Sequence, residues 1–169
     1  MLRKDIFQKI CKLFGSPEID LFASRLNHQL ERYVSWQPDP KAEYVDSFTE
    51  NWGCDYFCAI PPFCTVNRVV QKCIHDKAEG ILIIPEWPSQ PWYNLVHRMA
   101  GAPPFEIAVT NNELLLPFSS NTICHPLSQR RKSLKLRALQ VRPTLLKTLK
   151  VQQKTYNARI IRTNGDITS

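Results

Sequence analysis

Residues 55–85 read DYFCAIPPFCTVNRVVQKCIHDKAEGILIIP. Two apolar runs, residues 56–60 and 81–84, bracket a segment in which Val66, Val69, Val70, Cys73 and Ile74 recur at helical spacing. Pro61-Pro62 closes the first run and Pro85 the second. The run Ile81-Leu82-Ile83-Ile84 has no polar interruption and is mostly β-branched, which suits a strand covered on both faces of a parallel sheet. Strand, helix and strand in this order predict an α/β fold.

Working toward the N-terminus, residues 5–14 place Ile6, Phe7, Ile10, Cys11, Leu13 and Phe14 close to one helical face, and Gly15-Ser16-Pro17 stops it. Residues 18–23 predict a short strand that gives way to the polar Ser24-Arg25-Leu26-Asn27. Pro38-Asp39-Pro40 marks a loop, and residues 42–52 mix acids with aromatics without a clear period.

Toward the C-terminus, residues 91–100 carry Trp92, Leu95, Val96 and Met99 on one helical face. Residues 105–109 and 114–118 predict two further strands. Residues 133–141 alternate Leu134, Leu136 and Ala138 with Lys135 and Arg137, as an edge strand does, and Pro143 ends it. Residues 144–156 suggest a short basic helix with Leu145, Leu146 and Leu149 on one side, and residues 157–169 a frayed end. The expected architecture is Rossmann-like: a largely parallel sheet flanked by helices over residues 1–125, then a basic extension, residues 126–169, made of an edge strand plus a short helix or disorder.

The chain has 169 residues, 43% of them hydrophobic and 22% charged, enough for one sizeable core and too apolar for disorder throughout. No apolar run approaches the ~20 residues of a bilayer span, and the N-terminus lacks the apolar block of a signal peptide, which predicts a cytoplasmic or nuclear protein without membrane partners. The net charge of +7 is unevenly spread. Residues 1–125 hold 11 Lys and Arg against 14 Asp and Glu; residues 126–169 hold 11 Lys and Arg against the single acid Asp166. Such a tail favours a polyanion, nucleic acid first, through phosphate neutralisation at Arg130, Arg131, Lys132, Lys135, Arg137 and Arg142; a solvated basic face has the same composition.

Ligands of α/β sheets gather at the carboxyl ends of strands, so the residues just past each strand are the ones to question. Asp20 with Ser24, Arg25 and Asn27 ends the first; Pro61-Pro62-Phe63 follows the second; Glu86-Trp87 with Trp92 and Tyr93 follows the third. A Pro-Pro-aromatic turn presents a carbonyl and a ring at a fixed angle, suited to stacking on a planar base, although prolines that merely end a strand and a Phe63 that plugs the core read the same way. The six cysteines contain no C-x-x-C pair, so free structural thiols and no metal are expected.

Several of these segments together resemble the DNA N6-adenine methyltransferase (Dam)-like domain of phages. They are more closely similar to the copy that follows reverse transcriptase and RNase H in DIRS-type tyrosine-recombinase retrotransposon polyproteins. The resemblance rests on Ile19-Asp20-Leu21-Phe22-Ala23-Ser24-Arg25-Leu26-Asn27, Tyr33-Val34-Ser35-Trp36, Pro38-Asp39-Pro40, Asp46-Ser47-Phe48 with Trp52, Ile60-Pro61-Pro62-Phe63 and residues 84–93; His125-Pro126-Leu127 and residues 134–139 extend it. Reverse transcriptase, RNase H and recombinase motifs themselves are absent from these residues.

The resemblance implies a site residue by residue. In such enzymes Asp, Asn or Ser, then Pro-Pro, then an aromatic hold a flipped base, the polar side chain and a proline carbonyl accepting from the target amine. Pro61, Pro62 and Phe63 match, but Ile60 stands at the polar position and cannot accept a hydrogen bond, a loss of about 1–3 kcal/mol in a buried site. On the S-adenosylmethionine side, Asp20, Asp46 and Phe48 match, Asp39 less well, while the turn after Phe22-Ala23 has no glycine; an Asp46 that caps a helix has the same signature. The expectation is a methyltransferase-like module of a retroelement polyprotein that binds nucleic acid without transferring a methyl group and holds no cofactor, with neighbouring polyprotein domains as further partners. An active, S-adenosylmethionine-dependent N6-adenine methyltransferase and a truncated genomic relic are the alternatives.

Overall fold

The apolar runs of residues 55–85 form the centre of the molecule. In a computed structural model that describes residues 2–108 and 134–146, the elements in chain order are α1 (Lys4–Phe14), β1 (Ile19–Ala23), β2 (Tyr33–Ser35), β3 (Tyr44–Val45), β4 (Phe57–Ala59), α2 (Val66–Asp76), β5 (Gly80–Pro85), α3 (Tyr93–Arg98), β6 (Phe105–Ala108) and β7 (Lys135–Val141). The strands make one mixed α/β sheet ordered β3-β2-β1-β4-β5-β7-β6. From β3 to β5 every pairing is parallel, and β7 runs antiparallel to both β5 and β6. Among the described residues, no helix is long and apolar enough to cross a membrane.

Helices cover both faces. On one, α1 packs Phe7, Ile10 and Phe14 against Cys58, Ile81, Ile83, Ile107, Leu136 and Ala138. On the other, Val66, Val69, Val70 and Cys73 of α2, with Trp92, Val96 and Met99 at α3, cover Leu21, Phe57, Ala59, Leu82, Ile84 and Leu139. Every residue of β5 is buried, as its uninterrupted apolar run requires. α1 stops at Gly15, whose φ of 97° is a conformation that side chains with a Cβ avoid, and its last carbonyl accepts from Tyr56 Oη at 2.6 Å and Gln140 Nε2 at 3.0 Å. Gln140 is buried to make that bond.

β1, α2 and β5 lie where the periodicity predicts them, and the segments expected at 91–100 and 105–109 form the shorter α3 and β6. β2 and β3, three and two residues long, have no periodic signature. The expected edge strand of the extension is a correction. β7 is interior, its residues Leu136–Val141 paired across β5 and Lys135–Ala138 across β6, so this part of residues 126–169 belongs to the sheet rather than to an appended tail. The alternation misleads because Arg137, which reads as solvent-facing, lies against Glu86 with Nη2 to Oε1 at 2.6 Å, while Leu139, Gln140 and Val141 are all buried. The strand expected at 114–118 and most of the helix expected at 144–156 lie outside the described residues.

β4 and β5 approach closely at Gly80. A Cβ on Gly80 would overlap the Phe57 carbonyl oxygen and ring, whereas one on Gly101 would meet mainly side-chain atoms of Arg142 and Gln140. Gly80→Ala is therefore expected to lower stability by roughly 2 kcal/mol or more, against under ~1 kcal/mol for Gly101→Ala. Urea unfolding of the two variants checks this, and equal midpoints contradict it.

Candidate functional site

From β1 the chain steps outward to β2 and β3, then returns to place β4 on the other side of β1. The carboxyl ends of β1 and β4 thus flank a switch point, the crevice where open α/β sheets bind ligands. Past β4, Ile60 is half-buried against the α1 side, Pro61 is buried and Pro62 is exposed. The Pro62 carbonyl is already taken, accepting from Thr65 N at 2.9 Å and Thr65 Oγ1 at 2.8 Å as the chain turns into α2. The half-buried Phe63 meets Trp87 edge-on at 5.2 Å between centroids, so the turns after β4 and β5 form one aromatic wall.

The turn after β1 closes by side-chain bonds in place of glycine. Asn27 Oδ1 accepts from Ser24 N at 2.6 Å and Ser24 Oγ at 3.0 Å, and Ser24 O accepts from the amides of Asn27 and His28. Leu26 is left at the tip, 86% exposed. Beside it, Asp39 accepts from Tyr33 Oη at 2.9 Å and Lys41 N at 3.0 Å, and His28 stacks on Tyr33 at 4.6 Å. The backbone N–H of Lys41 is the main influence holding the Asp39 carboxyl below its ordinary value, with Tyr33 and Arg25 adding to it. Trp36, just past β2, is 74% exposed.

Asp20 does not stand at the carboxyl end with these groups, which corrects the expectation for it. It is the second residue of β1, 2% exposed, and accepts from Phe22 N at 3.4 Å and Gln29 N at 3.3 Å. The register of β1 with β2 shifts between Asp20 and Ala23, and an irregularity of this kind frees the amide that Asp20 takes up. Burial pushes its carboxyl up to about 6, the two N–H donors and His28 offsetting part of the effect.

Asp46 caps: its Oδ1 accepts from Phe48 N at 3.1 Å at the head of the turn Ser47–Thr49, with φ at 61°. Phe48 packs against Phe22 at 5.6 Å and Trp52 at 5.7 Å, and its ring is covered by the Arg68 guanidinium at 3.8 Å. Arg68, exposed on the first turns of α2, makes no ion pair among the described residues. Sequence reasoning missed it because a lone arginine on the polar face of a helix carries no local signal.

Of the tail cations, Lys135 lies 3.4 Å from Glu106, Arg137 2.6 Å from Glu86 and Arg142 3.7 Å from Glu79. Arg130, Arg131 and Lys132 lie outside the described residues. Around Glu86 and Arg137, the buried Glu86 Oε2, Arg137 Nε and His97 Nε2 have no protein partner among the described residues, and burial holds His97 below its ordinary value with Arg137 adding to it. The described cysteines, Cys11, Cys54, Cys58, Cys64 and Cys73, are free thiols; burial raises the last to about 12. Among the described residues no three His, Cys, Asp or Glu side chains converge as a metal site does. No protein-family model matches the chain, and no curated protein sequence matches it.

Asp20 binds its proton more tightly folded, at about 6, than in an unfolded chain, near 3.8. Its contribution to stability is thus fully present below about pH 4 and lost as pH rises through 6, by ~3 kcal/mol at most. Asp20→Asn keeps an acceptor and cannot titrate. The melting temperature of the parent chain minus that of Asp20→Asn should fall by several degrees between pH 4 and pH 7; a difference independent of pH contradicts the assignment.

Proposed function

We propose that the chain is a methyltransferase-like module of retroelement type that binds nucleic acid without transferring a methyl group. The observation that carries this reading is the position of Pro61-Pro62-Phe63, at the carboxyl end of β4 and beside the switch point of a sheet ordered β3-β2-β1-β4-β5-β7-β6. The succession β3-β2-β1-β4-β5 supports reading the sheet as doubly wound and Rossmann-like.

The groups that the resemblance assigns to S-adenosylmethionine do not fit it as they stand. Asp20 is buried and spent on the loop that follows β1, Asp46 caps a turn, Phe48 is covered by Arg68, and the Ser24–Asn27 closure stands where a glycine turn would admit the cofactor. On the amine side, Ile60 offers no acceptor and the Pro62 carbonyl is occupied.

What the carboxyl ends do offer is a stacking and phosphate-binding surface. Trp36 presents an exposed ring, and Phe63 with Trp87 forms a second aromatic element. Arg25 and Arg68 supply cations at the same ends, and aromatic rings beside cations bind single strands with little sequence preference. Arg130, Arg131 and Lys132 add charge from the extension, whereas Lys135, Arg137 and Arg142 each face an acid.

Gel shift of a single-stranded oligonucleotide, DNA or RNA, across a salt series tests the surface. Trp36→Ala should weaken binding roughly 5- to 100-fold, and Arg68→Ala should reduce the salt slope by about one unit. The joint change of Arg130, Arg131 and Lys132 to Ala measures the share of the extension; truncation at residue 125 would remove β7 and is no control. Absence of binding at low salt, or binding indifferent to Trp36 and Arg68, contradicts the proposal. Incubated with tritiated S-adenosylmethionine and an adenine-containing duplex, the chain should incorporate no more label than Phe63→Ala.

A further inference from the structure

Charge within residues 1–125 is segregated. Residues 1–14 hold four Lys and Arg against the single acid Asp5, while residues 15–125 hold 7 against 13 Asp and Glu. Arg3 and Asp5 pair with each other at 2.9 Å. Lys4, Lys9 and Lys12 are exposed on α1 and make no ion pair among the described residues. Spacing by four sets Lys4, Gln8 and Lys12 in one row along the helix with Lys9 beside it, a basic stripe about 12 Å long.

Two tethers give the stripe a direction. At the start of α1 the Leu2 carbonyl accepts from Gln29 Nε2 at 2.8 Å, in the loop that follows β1. At its end the Phe14 carbonyl accepts from Tyr56 and Gln140, which lie at the amino ends of β4 and β5. α1 therefore runs antiparallel to β1. Lys4 borders the carboxyl-end surface, and Lys9 and Lys12 lead away from it down the side of the molecule. The amino end of the sheet is acidic instead: Glu18, Glu31, Glu43, Asp55 and Glu79 each stand one or two residues before one of the five parallel strands. Their ion-pair partners among the described residues are Arg32 and Arg142 alone.

We propose that α1 carries the continuation of a single-stranded nucleic acid whose first bases stack at the carboxyl end, its phosphates following Lys4, Lys9 and Lys12. The inference rests on the nucleic-acid reading of the carboxyl-end surface and adds to it a path and a minimum length of strand. Lysines without local acids neutralise phosphates whatever the sequence, so the stripe adds affinity and salt dependence rather than base preference. An anionic membrane would meet the same charge. Helices that lie on membranes, however, insert an apolar face, and that of α1 is spent on the core through Phe7, Ile10 and Phe14, with Leu13 its one large apolar side chain left exposed.

Fluorescence anisotropy of the full chain with labelled oligothymidylates of about 5 and about 15 nucleotides, across a salt series, tests the path. The short probe reaches the carboxyl end alone, and the long one reaches the stripe as well. Lys9→Gln with Lys12→Gln should lower the salt slope of the long probe by about 1.4 units and weaken its binding roughly tenfold at low salt, leaving the short probe unchanged. Lys9→Arg with Lys12→Arg should bind both probes like the parent chain. A glutamine chain that keeps the parent's long-probe affinity, a loss shared equally by the short probe, or an arginine chain that loses as much as the glutamine chain would overturn the inference, while short-probe binding that depends on Trp36 would leave the carboxyl-end reading standing. If neither probe binds, both fall. Phosphatidylserine vesicles bound by the parent and not by the glutamine chain, with the long probe held alike by the two, would assign the stripe to a membrane and overturn it too.

Discussion

Parallel pairing of Ile19–Ala23 with Phe57–Ala59, covered by helices on both faces, fixes where everything else in the molecule lies. A parallel pair cannot be closed by a tight turn, so the chain must leave β1, build β2 and β3 on one side, and return to β4 on the other. That excursion creates the switch point. Phe57, fully buried, faces Trp52 at 5.8 Å and abuts Gly80, which extends the constraint through β4 into β5. β7 then seals β5 on its remaining side, and Gln140 ties that strand back to the end of α1.

The interactions that hold the carboxyl-end loops also limit their chemistry. Asp20, which accepts two backbone amides and is 2% exposed, orders a loop from inside the molecule and does not present its carboxylate at the surface. Likewise the Arg68 guanidinium covers one face of the Phe48 ring. In a flat ring–cation contact each partner uses the surface that a third planar group would need. Trp36 has no such partner among the described residues, and its ring is 74% exposed, which is why the proposed stacking is assigned to it.

Strands buried on both faces were the most legible in the sequence, because a continuous apolar run between Gly80 and Pro85 has one reading once its length excludes a helix. β2 and β3 were not legible, since Tyr33–Ser35 and Tyr44–Val45 are too short to show a period and Tyr44 and Val45 face outward. Arg137 misled for a different reason. Its charge is matched by Glu86, which is distant in sequence, so the alternation in β7 indicated an edge where the sheet continues. At the site, Pro61-Pro62-Phe63 was legible as a motif. The occupation of the Pro62 carbonyl by Thr65, the burial of Asp20 and the covering of Phe48 depend on geometry and on contacts that no local pattern encodes.

The proposed carboxyl-end surface would accept nucleic acid and refuse S-adenosylmethionine. Proton–nitrogen correlation spectra of the labelled full chain, titrated with each, test both halves in one sample. A single-stranded oligonucleotide should shift the indole resonances of Trp36 and Trp87 while Trp52, buried with its Nε1–H donated to the Ser47 carbonyl at 2.6 Å, stays in place, and millimolar S-adenosylmethionine should move nothing. Saturable movement of the amides of Ser24, Asn27, Ser47 and Phe48 with S-adenosylmethionine, or indole resonances of Trp36 and Trp87 unmoved by the oligonucleotide, would contradict it.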